Sequence, residues 1–332
     1  MKIDINGLCD SFKIINIDEN CSPTFVEIHP TNICNLNCVY CSYKERKQDK
    51  ISLGSDVLMQ LCKDLINLNV KAVCFSGGGE PTLHPQLYDA MKMLYDHGTK
   101  LSLLTNGTNY ESIIKVAPFC TYVLIHLSSD EEEQIEKIMG SKAKCVFENI
   151  TKIKEMAPDV LLGGRIVVNQ YNKNRILNTI NKGMDCGLDY VQCCPALNYE
   201  GSYEYSSSTD FEELKKNEIF NNNHIMWLEK PDSSKSKWDE CFCLSKKIHA
   251  TVKANGDVFL CPTHFDEDES DVIGNINTTS FDKLWNGTNH QNKIKELIKK
   301  KTLTCNKCRF NSYNDILHRI NKSKNNEHKY FL

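Results

Sequence analysis

No apolar run in this 332-residue chain approaches the roughly 18 residues of a membrane-spanning helix. The N-terminal "MKIDINGLCDSF" has no basic region followed by an apolar core, so no signal peptide is expected and the protein reads as cytoplasmic, without a membrane partner. Charge of one sign is also lacking. The formal net charge is -3, which argues against an extended nucleic-acid surface. Internal repeats, phosphate-cradling loops, nucleophile triads and paired carboxylates are not evident. The acidic "FDEDESD" at 265–271 reads as a solvated loop.

Cysteine, in contrast, is abundant: seventeen residues. In a reducing compartment such a number points to metal or redox chemistry rather than to a disulfide framework, and an odd count argues against full pairing. Cys62, Cys74, Cys120, Cys145 and Cys186 stand singly among apolar residues and read as small core hydrophobes.

Residues 1–22 show no clear period. From residue 23 strands and helices alternate. "TFVEIH", "KAVCFS", "KLSLLT", "TYVLIHLS", "DVLLGGRIVVN" and "DYVQCCPA" read as strands. Between them lie helical patterns such as "SDVLMQLCKDLINLN", with Ser55 as its expected cap, and "HPQLYDAMKMLYDHG". This rhythm predicts right-handed βαβ units and a parallel sheet. Six units fit residues 23–198, too few residues for a closed eight-unit barrel of about 250. The expected fold class is therefore α/β, a partial (β/α)6 TIM-like barrel, with its chemistry at the C-terminal ends of the strands. Residues 199–240 are polar and read as a linker or substrate-covering segment. Residues 241–310 form a small α+β module that includes the hairpin signature "IHATVKANGDVFLC", and 311–332 are a polar tail.

"TNICNLNCVYCSYKER" follows the first strand and carries Cys34, Cys38 and Cys41. Three thiolates can hold three irons of a [4Fe–4S] cube and leave the fourth iron open. An open metal position suits catalysis, whereas structural sites are closed. On spacing alone, a three-cysteine zinc site completed by a histidine such as His29 is the alternative. "FSGGGEPTLHP" follows the second strand: Gly77, Gly78 and Gly79 let the backbone approach a ligand closely, and Glu80 can accept from an ammonium.

This combination resembles the radical S-adenosylmethionine (radical SAM) superfamily, and the likeness extends over nearly all of residues 23–310. The resemblance implies that the methionine group of SAM chelates the open iron. Reductive cleavage then yields a 5′-deoxyadenosyl radical that abstracts a hydrogen atom. It further implies cofactor contacts by Tyr40 near the adenine, by Gly77, Gly78, Gly79 and Glu80 at the amino group, by Asn106, and by Ser128 at the ribose, with Ser129 and Asp130 as alternatives. Arg165 is a candidate partner for the methionine carboxylate. The C-terminal module resembles the auxiliary-cluster extensions called SPASM and twitch. That likeness implies one auxiliary [4Fe–4S] cluster on Cys243, Cys261, Cys305 and Cys308, with Cys241 the rival of Cys243 and a structural zinc the alternative. Cys193, Cys194 and Cys241 are candidate hydrogen-atom donors, against a packing role for each. A flavodoxin- or ferredoxin-type electron donor is the implied partner. The expected reaction is oxidation of a small polar molecule such as a sugar or aminocyclitol. Maturation of a ribosomal peptide or protein is the alternative, and a non-catalytic iron–sulfur or zinc scaffold is the alternative of another class.

Overall fold

The computed structural model describes residues 21–41, 43, 49–196, 213–228, 243–261 and 272–299. Strands β1 (Phe25–Ile28), β2 (Ala72–Phe75), β3 (Lys100–Thr105), β4 (Cys120–Leu127), β5 (Leu161–Val168) and β6 (Tyr190–Pro195) pair in parallel in chain order. They form the six-unit α/β barrel wall that the alternation predicted. A further parallel strand, β7 (Ile225–Trp227), lies within the segment read from the sequence as linker or cover.

The strands alternate between two faces, as a pleated backbone must. Val26, Ile28, Val73, Phe75, Leu101, Leu103, Val123, Ile125, Leu162, Ile166, Val191 and Cys193 belong to the buried hydrophobic core. Against this outer face pack helices α1 (Ser55–Asn67), α2 (Leu87–Asp96), α3 (Tyr110–Val116), α4 (Glu132–Met139), α5 (Val146–Met156) and α6 (Ile176–Asp185). Leu58, Leu61, Cys62 and Leu65 show the reason in α1: their spacing puts all four on one buried stripe. The opposite strand face, carrying Glu27, Cys74, Ser102, Tyr122, His126, Arg165 and Gln192, lines the lumen.

Local expectations needed correction in three places. Ser55 is the first residue of α1 and not its cap; Gly54 occupies that position without a side-chain bond. Helix α5 was not anticipated, although Val146, Phe147, Ile150 and Ile153 carry its apolar stripe. Gly140, at φ 101°, ends α4, and a 3₁₀ turn over Ser141–Cys145 leads into α5. Cys74 is buried, as expected of a packing cysteine, but on the lumen face beside Glu27 and Ser102.

The C-terminal module joins the barrel by strand addition. Strand β8 (His249–Val252) pairs in parallel with β1, and β9 (Asp257–Phe259) and β10 (Val272–Asn275) continue the sheet antiparallel, so ten strands form one sheet. The predicted hairpin turns at Asn255–Gly256, with Gly256 at φ 91°. Helix α7 (Phe281–Trp285) is pinned to α1, since Phe281 N–H donates to buried Asp64 Oδ2 at 2.8 Å. The Trp285 indole donates to Cys21 O at 2.8 Å. Helix α8 (Thr288–Lys299) follows. Among the described residues no helix is long and apolar enough to cross a membrane.

Candidate active site

The loop after β1 carries Cys34, Cys38 and Cys41 over the C-terminal mouth of the barrel, where all three are half-buried and outside any disulfide. Ser42 and residues 44–48 lie outside the described residues. Three neighbouring elements hold the loop. Val39 N–H donates to Ile138 O on α4 at 2.9 Å. The Asn106 amide donates to Asn35 Oδ1 at 2.8 Å and approaches Cys34 Sγ at 4.0 Å, and Asn35 in turn donates to Thr108 Oγ1 at 2.8 Å. The glycine loop packs directly beneath: Gly79 N–H donates to Thr31 O at 3.0 Å and Glu80 N–H to Ile33 O at 2.8 Å. A Cβ on Gly79 would stand 2.2 Å from Ile33 O, and one on Gly78 2.6 Å from Asn32 Oδ1. The absence of side chains there thus permits loop-on-loop contact within the protein itself.

Glu80 is 2% exposed and ties β2 to β3. Its Oε1 accepts from Thr82 N–H, Thr82 Oγ1 and Thr105 Oγ1 at 3.1, 2.7 and 2.7 Å, and Oε2 accepts from Asn106 N–H at 2.7 Å. Burial pushes its carboxyl up, and these donors pull it back. A carboxylate offers about four lone-pair sites, two on each oxygen, so Oε2 keeps one acceptor position.

Of the three serine and aspartate positions after β4, two have their side chains engaged. Ser129 Oγ accepts from Glu131 N–H at 3.3 Å, and Asp130 pairs with Arg175. Among the described residues Ser128 Oγ is buried without a hydrogen-bond partner, and the buried Tyr40 hydroxyl lies beside Cys38 of the cysteine loop. Burial drives the Tyr40 phenol well above its ordinary range, reinforced by the nearby thiols of Cys38, Cys194 and Cys41. Cys194 therefore belongs to the mouth. Cys193 does not: it points into the outer core with no exposure, and burial pushes its thiol far up. The one-residue alternation separates the two, so Cys193 is corrected to a packing residue.

The lumen holds a set of titratable side chains that no sequence motif had singled out. Glu27 contacts His29 Nε2 at 3.0 Å. Burial pushes the Glu27 carboxyl up, but bonds to His29 and Ser76 and the charges of His29 and His249 bring it down to about 2. Burial lowers His249 to about 4, and burial together with Arg165 lowers His126 to about 3. Both histidines are thus neutral near pH 7. Arg165, whose strand face was uncertain, projects into the lumen and donates to Gln192 Oε1 at 2.8 Å. A legible signal existed: these polar residues occupy every second position of otherwise apolar strands.

The two described auxiliary cysteines, Cys243 and Cys261, lie at the other end. Cys261 follows β9, whose Phe259 pairs with Thr251, so Cys261 comes level with His249 and with Phe25 at the start of β1. Cys243 directly precedes the 3₁₀ turn that leads into β8. At a rise of about 3.3 Å per residue, the two cysteine sets stand on the order of 15–20 Å apart along the strands. Cys241, Cys305 and Cys308 lie outside the described residues. Among the described residues no three His, Cys, Asp or Glu side chains converge on one ion. Thiolates of a cube bind separate irons and stand farther apart than the ligands of a single ion, which lie about 2.3 Å from zinc. The donor set at the mouth fits an open cluster: three thiols outside any disulfide on one loop, with His29 turned to Glu27. Among the described residues the buried Ser128 hydroxyl has no hydrogen-bond partner, which fits a polar ligand beside it.

The chain matches the radical SAM superfamily over residues 28–182 and the iron–sulfur cluster-binding domain SPASM over residues 241–309. It belongs to the radical SAM superfamily and carries a C-terminal SPASM-type module, with [4Fe–4S] clusters and S-adenosylmethionine as cofactors. It is 24% identical over 195 residues to an S-adenosylmethionine-dependent nucleotide dehydratase of Fibrobacter sp. (strain UWH6), covering 55% of this chain and 58% of that protein. It is 23% identical to a GTP 3',8-cyclase of Clostridium perfringens, covering 52% and 55%. The chain thus spans little more than half the length of these relatives. Its fold is similar to that of Streptococcus suis SuiB bound to the precursor peptide SuiA, with TM-score 0.65, 15% identity and 87% and 70% of the two chains covered. It is also similar to anSMEcpe with bound AdoMet, with TM-score 0.57, 20% identity and 86% and 89% covered.

Proposed function

We propose that this radical SAM enzyme abstracts a hydrogen atom from an unactivated C–H bond of a small polar molecule held in the barrel lumen and oxidises it. One observation carries this reading: a lumen lined by Glu27, His29, Tyr122, His126, Arg165 and Gln192 lies between Cys34, Cys38 and Cys41 at one end of the strands and Cys243 and Cys261 at the other. Bound there, SAM and the mouth cluster supply a hydrogen-abstracting adenosyl radical, and the auxiliary cluster supplies an electron acceptor. Cys34, Cys38 and Cys41 would hold the first cluster, and Cys243, Cys261, Cys305 and Cys308 the second. The spare lone pair of Glu80 Oε2 suits the ammonium of SAM, and the unpartnered Ser128 hydroxyl suits its ribose. Neutral His126 and ionised Glu27 can accept hydrogen bonds from substrate hydroxyl or amine groups and can orient one C–H bond toward the mouth.

The likeness to peptide-bound SuiB favours a second reading, in which a peptide segment enters the same lumen. The test is anaerobic reconstitution, reduction with dithionite and quantification of 5′-deoxyadenosine after addition of SAM. None from a fully reconstituted sample refutes the enzymatic reading. A gene for a short precursor peptide beside this one would favour the peptide reading over the small molecule.

A further inference from the structure

Arg165 stands out in the lumen because, among the described residues, its charge has no anionic partner. Its one hydrogen bond among the described residues goes to the neutral Gln192, and its Nε is buried with nothing to donate to. The groups around it supply no anion. His126, its register neighbour on β4, is neutral, and Tyr122, Tyr190 and Cys74 are weak acids that burial keeps protonated. The nearby carboxylate, Glu27, is bonded to His29. A guanidinium stays charged at any relevant pH, and charges taken from water are ordinarily paired. Since no described residue supplies the missing partner, a ligand is the group that fits it.

The level of Arg165 indicates which ligand. Cys194 shares the mouth with Tyr40, Cys38 and Cys41. Gln192, the register partner of Arg165, lies two residues deeper on the same face of β6, which is roughly 7 Å along the strand. The other groups that feel the Arg165 charge, Tyr122, Tyr190 and Cys74, occupy deeper positions still. Gly163 makes room for this arrangement, since a Cβ there would stand 2.2 Å from the Tyr190 ring. The guanidinium is thus directed below the mouth, into the lumen that the proposed function assigns to the reacting molecule.

We infer that Arg165, steadied by Gln192, receives an oxyanion, carboxylate or phosphate, carried by the molecule whose C–H bond is attacked. The planar fork of the guanidinium matches either group. This inference rests on the reading of the lumen as the substrate chamber, and it narrows the substrate to an anion.

The test uses the cluster-loaded full chain saturated with SAM. Phenylglyoxal, which adds to arginine, is the reagent, and modification of Arg165 is read by peptide mass spectrometry with ion-paired Arg175 as internal reference. Arg165 should remain reactive with SAM alone, and inorganic phosphate or acetate should slow its modification at least about threefold. Phosphate binding, followed by ³¹P line broadening, should weaken about tenfold or more in Arg165→Gln, the loss expected when a charge-assisted bond is removed. Arg165→Lys should keep part of it. Protection of Arg165 by SAM alone would assign the guanidinium to the cofactor's carboxylate and overturn the inference. So would an Arg165 that no anion protects, or one that never reacts. Failure of the wild type to make 5′-deoxyadenosine would instead refute the enzymatic reading, since the protection assay needs no turnover.

Discussion

Gly79→Ala is the sharpest probe of how the site is built. The added Cβ would lie 2.2 Å from Ile33 O, 2.5 Å from Asn32 C and 2.7 Å from Ile33 C. All three are backbone atoms, so no side chain can swing away. Relief requires the glycine loop and the cysteine loop to separate by about 1 Å, given ordinary carbon–oxygen contacts above about 3 Å. That shift stretches two bonds between the loops, Gly79 N–H to Thr31 O and Glu80 N–H to Ile33 O. Overpacking costs about 1–3 kcal/mol and each weakened backbone bond about 1 kcal/mol. A total of about 3–5 kcal/mol should lower the melting temperature of the apo protein by roughly 4–7 °C. The same displacement moves Cys34 away from its place, so reconstituted iron should fall from about eight to about four per chain. Differential scanning fluorimetry and iron analysis read both effects. A Gly79→Ala protein with unchanged iron and a melting temperature within about 1 °C of the wild type would refute the loop-on-loop packing.

Other perturbations separate the two ends of the barrel. Cys38→Ala should abolish 5′-deoxyadenosine formation, measured by chromatography with mass detection; retained cleavage would exclude Cys38 as a cluster ligand. Cys261→Ala should remove about four irons per chain yet leave SAM cleavage in place. Equal loss of cleavage in both variants would make the auxiliary site structural only. Stability should also fall on acidification in two stages. His126 and His249 have folded pKa values below 6.5, at about 3 and about 4, so the stability each contributes is complete above 6.5 and is lost as pH falls toward those values. Glu27 sits at about 2 against 4.5 unfolded, so its contribution of about 3 kcal/mol persists above 4.5 and disappears between 4.5 and 2. Glu27→Gln should flatten the lower stage in urea titrations across pH, and an unaltered profile would remove Glu27 from the account.

Much of this molecule was legible before any coordinate. The period-two alternation of "TFVEIH" or "TYVLIHLS" and the helical stripes between strands report local backbone geometry, which neighbouring residues determine. The Cys34, Cys38 and Cys41 spacing and the glycine–glutamate stretch are equally local, because ligands on one loop must be close in sequence. Helix α5 could have been read from Val146, Phe147, Ile150 and Ile153. The polar Glu148, Asn149, Thr151 and Lys152 between them obscured it.

What depends on distant segments was closed to the sequence. The face of Arg165, the opposite fates of Cys193 and Cys194, and the lumen position of Cys74 follow from register across the sheet, where a one-residue slip reverses every side chain. That Glu80 binds Thr82, Thr105 and Asn106 could not be foreseen, since 25 or more residues separate it from two of these partners. The pairing of β8 with β1 likewise joins residues more than 200 positions apart and sets Cys243 and Cys261 at the far end of the barrel. The sequence by itself determined most of the elements and the family, and it proposed ligand sets for the clusters. Only the tertiary structure, through long-range strand pairing and burial, decided which polar side chains share the lumen and how their charges are held.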